Sequence, residues 1–220
     1  MPAEGPFRDG EPAGFELIET MRHEPATGFL RLDRHLARLY ASAAELGFAC
    51  DPEAVGSALG KAVAGVGGTA RVRLALQRDG GVSAAAQPYE PPPAGKIWTL
   101  RLARTRLSSA DPLLRHKTSR RQLYTRARSE YLVQQADEVL LANERGELCE
   151  GTITTLFVER GDGMLLTPPL ECGLLAGVLR AELLDEGRAE EAVLTPDQLA
   201  AAKAIHLGNS LRGLIPARLA

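Results

Sequence analysis

The chain has 220 residues, 45% of them apolar and 25% charged, a composition that excludes disorder, collagen and coiled-coil rods. With 26 basic residues against 28 acidic ones, overall charge excludes a nucleic-acid partner held by bulk electrostatics. No run reaches the ~18 apolar residues of a membrane span, and the polar, Pro/Gly-rich start from Met1 to Gly14 is unlike a signal peptide, so the expectation is a cytoplasmic protein with no membrane partner.

A chain of this length buries roughly 70% of its unfolded surface and needs no disulfide or metal staple. Cys50, Cys149 and Cys172 are an odd number at wide spacing without a CxxC pair. They read as reduced, mostly buried thiols, and no metal is expected.

In chain order, Phe15 to Arg22 predicts a short strand and Glu24–Gly28 a turn. Asp33 is suited to cap a helix from Arg34 to Leu46 that Gly47 closes. Leu36, Leu39, Tyr40, Ala43 and Leu46 recur at helical spacing, which leaves His35, Arg38, Ser42 and Glu45 as a polar stripe. Asp51-Pro52 opens a second helix. Arg71 to Gln77 alternates, with Val72, Leu74 and Leu76 on one face of a strand, and Asp79-Gly80-Gly81 forms a turn.

The Pro88–Gly95 stretch reads as a linker, with a strand from Ile97 to Ala103 after it. A helix is expected over Thr118–Gln134, then strands at Glu138–Leu141, Ile153–Val158 and Met164–Thr167. Another helix runs from about Gly177 to Gly187, and Thr195-Pro196-Asp197-Gln198 is a capping box for the next. Mixed strands and helices around a Pro-rich break predict an α+β chain of two lobes, residues 1–105 and 106–220.

Common catalytic templates are absent: there is no phosphate loop, no GxSxG elbow and no HExxH helix. Gly65, Gly67 and Gly68 precede a strand rather than follow one, which fits a dinucleotide loop poorly. The segment Arg115-His116-Lys117-Thr118-Ser119-Arg120-Arg121 concentrates cations at an expected helix start, where the dipole favours negative charge. Either it is a solvated loop or anionic ligands sit nearby. An Arg-rich nucleic-acid module is the alternative from another class, and the near-neutral total charge counts against it.

HKTSRRxxY at 116–124, NERGELCEGTITTLFV at 143–158 and LLTPPLECGLLAGVLR at 165–180 together resemble the fold-type IV pyridoxal-phosphate enzymes. LDRHLARLYASAAELGF at 32–48 and FELIETMR at 15–22 stand in the same order, so the resemblance covers most of the chain. It implies a D-amino-acid aminotransferase-like fold with the cofactor, pyridoxal 5'-phosphate, in the cleft between the lobes. The family includes branched-chain and D-amino-acid aminotransferases and 4-amino-4-deoxychorismate lyase. The closing LGNSLRGLIPA at 207–217 is most similar to the lyase group.

Residue by residue, the resemblance implies that Lys117 joins the cofactor aldehyde and acts as the catalytic base. Burial and the charges of Arg115, Arg120 and Arg121 are expected to keep its amine partly neutral. The other lysines, Lys61, Lys96 and Lys203, read as surface residues. Glu150 is expected to pair with the pyridine nitrogen. Arg38, the helix start at Gly177 with Val178 and Leu179, and Ser210 with Asn209 are expected at the cofactor phosphate. Thr155 stands where most relatives have asparagine, and Tyr124 is a further candidate near the cofactor hydroxyl.

Arg106 is the first choice for gripping an anionic small-molecule substrate through a carboxylate, followed by Arg22, Arg212 and Arg115. The implied activity is 4-amino-4-deoxychorismate lyase, releasing pyruvate and 4-aminobenzoate for folate synthesis. The alternative is a class IV aminotransferase for branched-chain or D-amino acids with a 2-oxo acid acceptor. The resemblance also implies a homodimer and a functional link to aminodeoxychorismate synthase.

Overall fold

The structure is a computed structural model that describes residues 14–220. All but Gly14 of the polar opening stretch read as unlike a signal peptide lies outside the described residues. Among these residues no helix is long and apolar enough to cross a membrane.

The first half builds β1 (Leu17–Glu24), β2 (Gly28–Phe29), α1 (Leu32–Leu46), α2 (Pro52–Val63), β3 (Ala70–Leu76) and β4 (Val82–Pro88). Its antiparallel sheet has the order β2-β1-β3-β4. Alternation sends Met21, Val72, Leu74 and Leu76 into a core with Leu39 and Val55 from the two helices. Asp51 caps α2 through the Glu53 N–H, with Pro52 in the first turn.

The second half builds β5 (Trp98–Leu107), α3 (Gln122–Arg128), β6 (Glu138–Asn143), β7 (Leu148–Gly151), β8 (Thr155–Glu159) and β9 (Leu165–Thr167). After these come α4 (Val178–Asp185), β10 (Ala189–Glu191), α5 (Pro196–Ala200), β11 (Ile205–Asn209) and β12 (Gly213–Leu219). The larger sheet runs β10-β9-β8-β11-β12-β5-β6-β7, and a pairing of β7 with β8 closes its central strands into a ring. The chain passes from one sheet to the other through residues 89–97, and the expected boundary after residue 105 falls within β5.

Three local expectations need correction. Helix α1 starts at Leu32, and its cap is Arg31 in the left-handed region at φ 58°, not Asp33. Arg31 is held there by Glu182 of α4, whose Oε2 lies 2.7 Å from Nε and 2.6 Å from Nη2. Asp33 instead sits in the first turn, where a negative charge suits the dipole.

The polar stripe of α1 is solvated only in part: Glu45 is exposed, but His35 and Ser42 are buried, because this side of the helix faces the second lobe. Ser42 Oγ meets His116 Nδ1 at 3.0 Å.

The helix expected over 118–134 shrinks to α3. Residues 117–119 are extended instead, with Ile18 N–H donating to Lys117 O and Ser119 N–H to Glu16 O, each at 2.9 Å. Pairing with β1 outcompetes the local helical tendency of this segment. At the other end, the Glu130 carboxylate leaves the helix and accepts from the Arg104 and Thr105 N–H groups of β5.

Candidate active site

Residues 117–119 run alongside the start of β1, and Lys117 lines a cavity of about 630 Å³. Arg38, Glu150, Val178, Leu179, Asn209, Ser210 and Arg212 line the same cavity. Lys61, Lys96 and Lys203 are exposed, and Lys96 pairs with Asp137 at 3.2 Å.

Burial lowers the Lys117 pKa to about 8, helped by the charges of Arg38 and Arg121 and opposed by Glu19 and Glu150. The expected Arg121 contributes, but the larger electrostatic effect comes from Arg38 on α1. An amine so placed is partly neutral near pH 8, as a nucleophile or proton acceptor must be.

Glu150 leads out of β7 and is buried. Burial pushes its carboxyl up to about 7, against hydrogen bonds from Tyr124 and the Leu175 N–H and the charges of Lys117 and Arg121. Tyr124 Oη donates to Glu150 Oε1 at 2.6 Å, and Leu175 N–H to the same oxygen at 3.2 Å. The Tyr124 phenol is itself held well above its ordinary range, first by burial and then by the Glu150 charge. Arg121 stacks on the Tyr124 ring at 4.6 Å and donates to Thr152 O.

Arg38 reaches the cavity while bound side-on to Glu19, Nε to Oε1 at 2.8 Å and Nη2 to Oε2 at 2.6 Å, with Nη1 donating to Ala176 O at 2.9 Å. His35 joins the same carboxylate through Nδ1 and meets Ser210 Oγ through Nε2 at 2.8 Å. Neither Glu19 nor His35 stood out in the sequence; Glu19 alternates with Leu17 and Met21 on one strand face, which was its signal, whereas His35 on the polar stripe of α1 gave none.

Helix α4 begins at Gly177 without a side-chain cap, so its first N–H groups and dipole are available to an anion. A Cβ on Gly177 would lie 2.8 Å from Thr155 Oγ1, so only glycine lets these two segments approach. Asn209 braces the neighbouring turn, Nδ2 donating to Ile153 O and Oδ1 accepting the Arg212 N–H, each at 2.9 Å.

Arg106 and Arg22 are not among the lining residues. The pairing of β5 with β6 shifts register between Leu102 and Arg106, and this bulge turns Arg106 back onto Ala103 O. Arg22 pairs with Glu24 at 2.5 Å. Arg71 and Arg73 line the cavity from β3 instead. They occupy the face opposite Val72 and Leu74, so the alternation that marks the core face also points to them. Lys117, Glu150, an uncapped helix start and clustered arginines can together hold a phosphorylated heterocyclic aldehyde and an anionic amine beside it.

The sequence pattern of the family described as amino-transferase class IV matches residues 15–220. A candidate aminodeoxychorismate lyase of Schizosaccharomyces pombe is 30% identical over 187 residues, spanning 82% of this chain and 80% of its own. Among solved structures, a candidate amino-acid aminotransferase of Mesorhizobium loti is 70% identical, with a TM-score of 0.93 over 94% of this chain and 100% of that one. The 4-amino-4-deoxychorismate lyase of Pseudomonas aeruginosa is 28% identical, with a TM-score of 0.77 over 93% of this chain and 82% of its own.

Proposed function

The chain belongs to the class IV aminotransferase family of pyridoxal-phosphate enzymes, and within that family we propose that it is a 4-amino-4-deoxychorismate lyase. Supporting this are the S. pombe and P. aeruginosa relatives and the arginines facing Lys117. The observation that carries the choice is the cavity wall formed by Arg71 and Arg73 beside Ile18 and Thr20. A cationic wall suits a substrate with carboxylates on a ring, whereas a branched-chain side chain needs an apolar one.

The residues present fit the cofactor. Lys117 would take its aldehyde, and Glu150 would meet the ring nitrogen through Oε2, since Oε1 is already bonded. Ser210, Asn209, Arg38 and the N–H groups of Val178 and Leu179 would surround its phosphate. Bound there, pyridoxal phosphate supplies an electron sink for charge developing beside the substrate amine.

Once the substrate amine has displaced it from the aldehyde, Lys117 Nζ would remove the proton from the ring carbon that bears the amine. The enolpyruvyl carbon–oxygen bond then breaks, pyruvate leaves after protonation, and the ring becomes aromatic. Glu150 keeps the cofactor nitrogen protonated while Arg71 and Arg73 orient the substrate carboxylate. As such a lyase the protein would draw its substrate from an aminodeoxychorismate synthase and work as a homodimer.

The test is incubation of the loaded enzyme with 4-amino-4-deoxychorismate and no 2-oxo acid. Equal amounts of 4-aminobenzoate and pyruvate are expected. The M. loti relative favours a second reading, an aminotransferase on the same site. It predicts instead that an amino acid and 2-oxoglutarate give glutamate in equal measure, with no 4-aminobenzoate.

A further inference from the structure

Three residues of α1 and its cap, spaced one turn apart on one face, grip the two segments of the second lobe that carry Val178, Leu179 and Ser210. Arg38 Nη1 donates to Ala176 O just before α4, and His35 Nε2 meets Ser210 Oγ. Arg31, at the helix start, binds both segments. Its Nε and Nη2 each donate to Glu182 Oε2 of α4, at 2.7 and 2.6 Å, and its Nη1 donates to Ser210 O at 3.4 Å. Its own carbonyl accepts the His35 N–H at 3.1 Å, which fixes the backbone that carries His35.

The Arg31 backbone stands at φ 58° and ψ 34°, and it is the single non-glycine with positive φ among the described residues. A Cβ is disfavoured in that conformation, and glycine would take this cap more easily. An arginine there points to a task for its side chain. The Arg31–Glu182 pair is largely withdrawn from water, with side-chain exposures of 17% and 20%, whereas Arg34–Asp185, which joins the same two helices, stands at 38% and 63%. Removing one partner of the sheltered pair leaves a poorly solvated charge, while the exposed pair contributes little. Arg31 is not among the residues that line the cavity, so it acts on the site through Glu182 and Ser210.

We propose that Arg31 is a positioning residue for the cofactor phosphate. By tying Glu182 and the Ser210 carbonyl to the start of α1, it presets the spacing between Arg38, Ser210 and the first N–H groups of α4 before the cofactor enters. A pocket assembled from three separate segments holds its anion strongly only when those segments are already ordered. The role rests on the phosphate placement given above and is independent of the choice between lyase and aminotransferase.

Apoenzyme is titrated with pyridoxal 5'-phosphate and with pyridoxal, which keeps the ring and aldehyde but lacks the phosphate, and capture is followed by absorbance. Arg31→Gln, Arg31→Gly and Glu182→Gln should each weaken pyridoxal 5'-phosphate by about tenfold and pyridoxal by less than about twofold, with Arg31→Lys recovering part of the loss. Arg31→Gly relieves the left-handed backbone, so its urea midpoint should not fall below that of Arg31→Gln, and it serves where Arg31→Gln folds poorly. The phosphorus NMR signal of the bound cofactor should move in the Arg31 variants. Arg34→Gln, which opens the exposed pair between the same helices, should leave both affinities and that signal unchanged. Equal weakening of the two aldehydes by the Arg31 variants, or no weakening of either, overturns the proposal. If Ser210→Ala weakens pyridoxal 5'-phosphate alone while the Arg31 variants do not, the phosphate placement stands and the role of Arg31 falls. If neither Ser210→Ala nor the Arg31 variants tell the two aldehydes apart, the phosphate placement fails and the role of Arg31 with it.

Discussion

Glu19 Oε2 lies 2.6 Å from His35 Nδ1, and both residues are almost fully buried, at 1% exposure each. A carboxylate accepts, so Nδ1 donates. Burial alone would raise the Glu19 pKa, but the Arg38 charge and the hydrogen bonds from His35 and Arg38 hold it at about 2 instead of 4.5. The pair ties β1 to α1, and through Ser210 it ties both to the turn after β11.

Glu19→Gln should therefore destabilise the protein at pH 7 by about 3 kcal/mol, the free energy equivalent of that depressed pKa. A carboxylate with a lowered folded pKa contributes its stability above pH 4.5 and loses it as pH falls toward 2. The gap between wild type and variant should accordingly narrow in acid. Urea unfolding at pH 7 and at pH 3 measures it; a gap of equal size at both would show that Glu19 acts by packing alone.

Lys117 should capture the cofactor at a rate set by its neutral fraction. With a pKa of about 8, capture by apoenzyme should rise with pH below that point, about tenfold per unit, and level off above it. Arg38 holds the amine down and Glu19 holds it up. Arg38→Gln should move the midpoint upward, because it removes the larger of the two lowering charges and leaves only burial and Arg121 against Glu19 and Glu150. Stopped-flow absorbance of the bound cofactor across pH follows the midpoint separately from affinity. A midpoint unmoved in Arg38→Gln would separate Arg38 from the amine.

The chemistry was legible where residue type was scarce. Only four lysines occur, and three of them lie on exposed surface, so an amine in a cleft had one strong candidate. Core strands were legible for a similar reason, since Val72, Leu74 and Leu76 alternate without interruption. What stayed hidden depends on distant pairing. The extension of residues 117–119 comes from β1, a hundred positions earlier, and no local signal announces it. The bulge that turns Arg106 away is completed by Glu130, also remote in sequence. The buried partners of α1 were masked because a polar stripe facing another lobe has the same pattern as one facing water.

Tyr124→Phe should shift the acid side of the activity profile upward. Glu150 already titrates at about 7 because burial outweighs its partners, of which the Tyr124 hydroxyl is the first. Removing that donor raises the carboxyl further, so more of it is protonated at neutral pH. For stability the sign is opposite to Glu19: a raised carboxyl costs stability as pH climbs from 4.5 through its folded value, and the variant should extend that loss to higher pH. Glu150→Gln should lower kcat on the order of a hundredfold while leaving cofactor capture by Lys117 in place. The pH dependence of kcat for Tyr124→Phe measures the shift, and an unchanged acid limb would remove Glu150 ionisation from the rate.

Glu138 should prove as important to the site as residues that touch it. This carboxylate is fully buried and accepts from the N–H groups of Val139, Thr152 and Ile153 and the hydroxyls of Thr152 and Thr154. The donors on Thr152, Ile153 and Thr154 belong to the loop between Glu150 and Thr155 that floors the cavity. Gly151 belongs to the same arrangement, since a Cβ there would sit 2.9 Å from Glu138 Oε2 and 2.4 Å from Thr154 Oγ1. In Glu138→Gln one accepting oxygen becomes an NH₂ group, so two loop donors lose their acceptor and face another donor. The expected cost is about 2–4 kcal/mol, with kcat falling because Glu150 loses its neighbouring support. The midpoint for cofactor capture should stay near 8, since Glu138 exerts no charge effect among those acting on Lys117. Gly151→Ala should reproduce the loss of stability by pushing the same atoms apart. Urea unfolding together with the capture profile tests both, and a Glu138→Gln protein within about 0.5 kcal/mol of wild type would mean that water or loop rearrangement replaces the carboxylate.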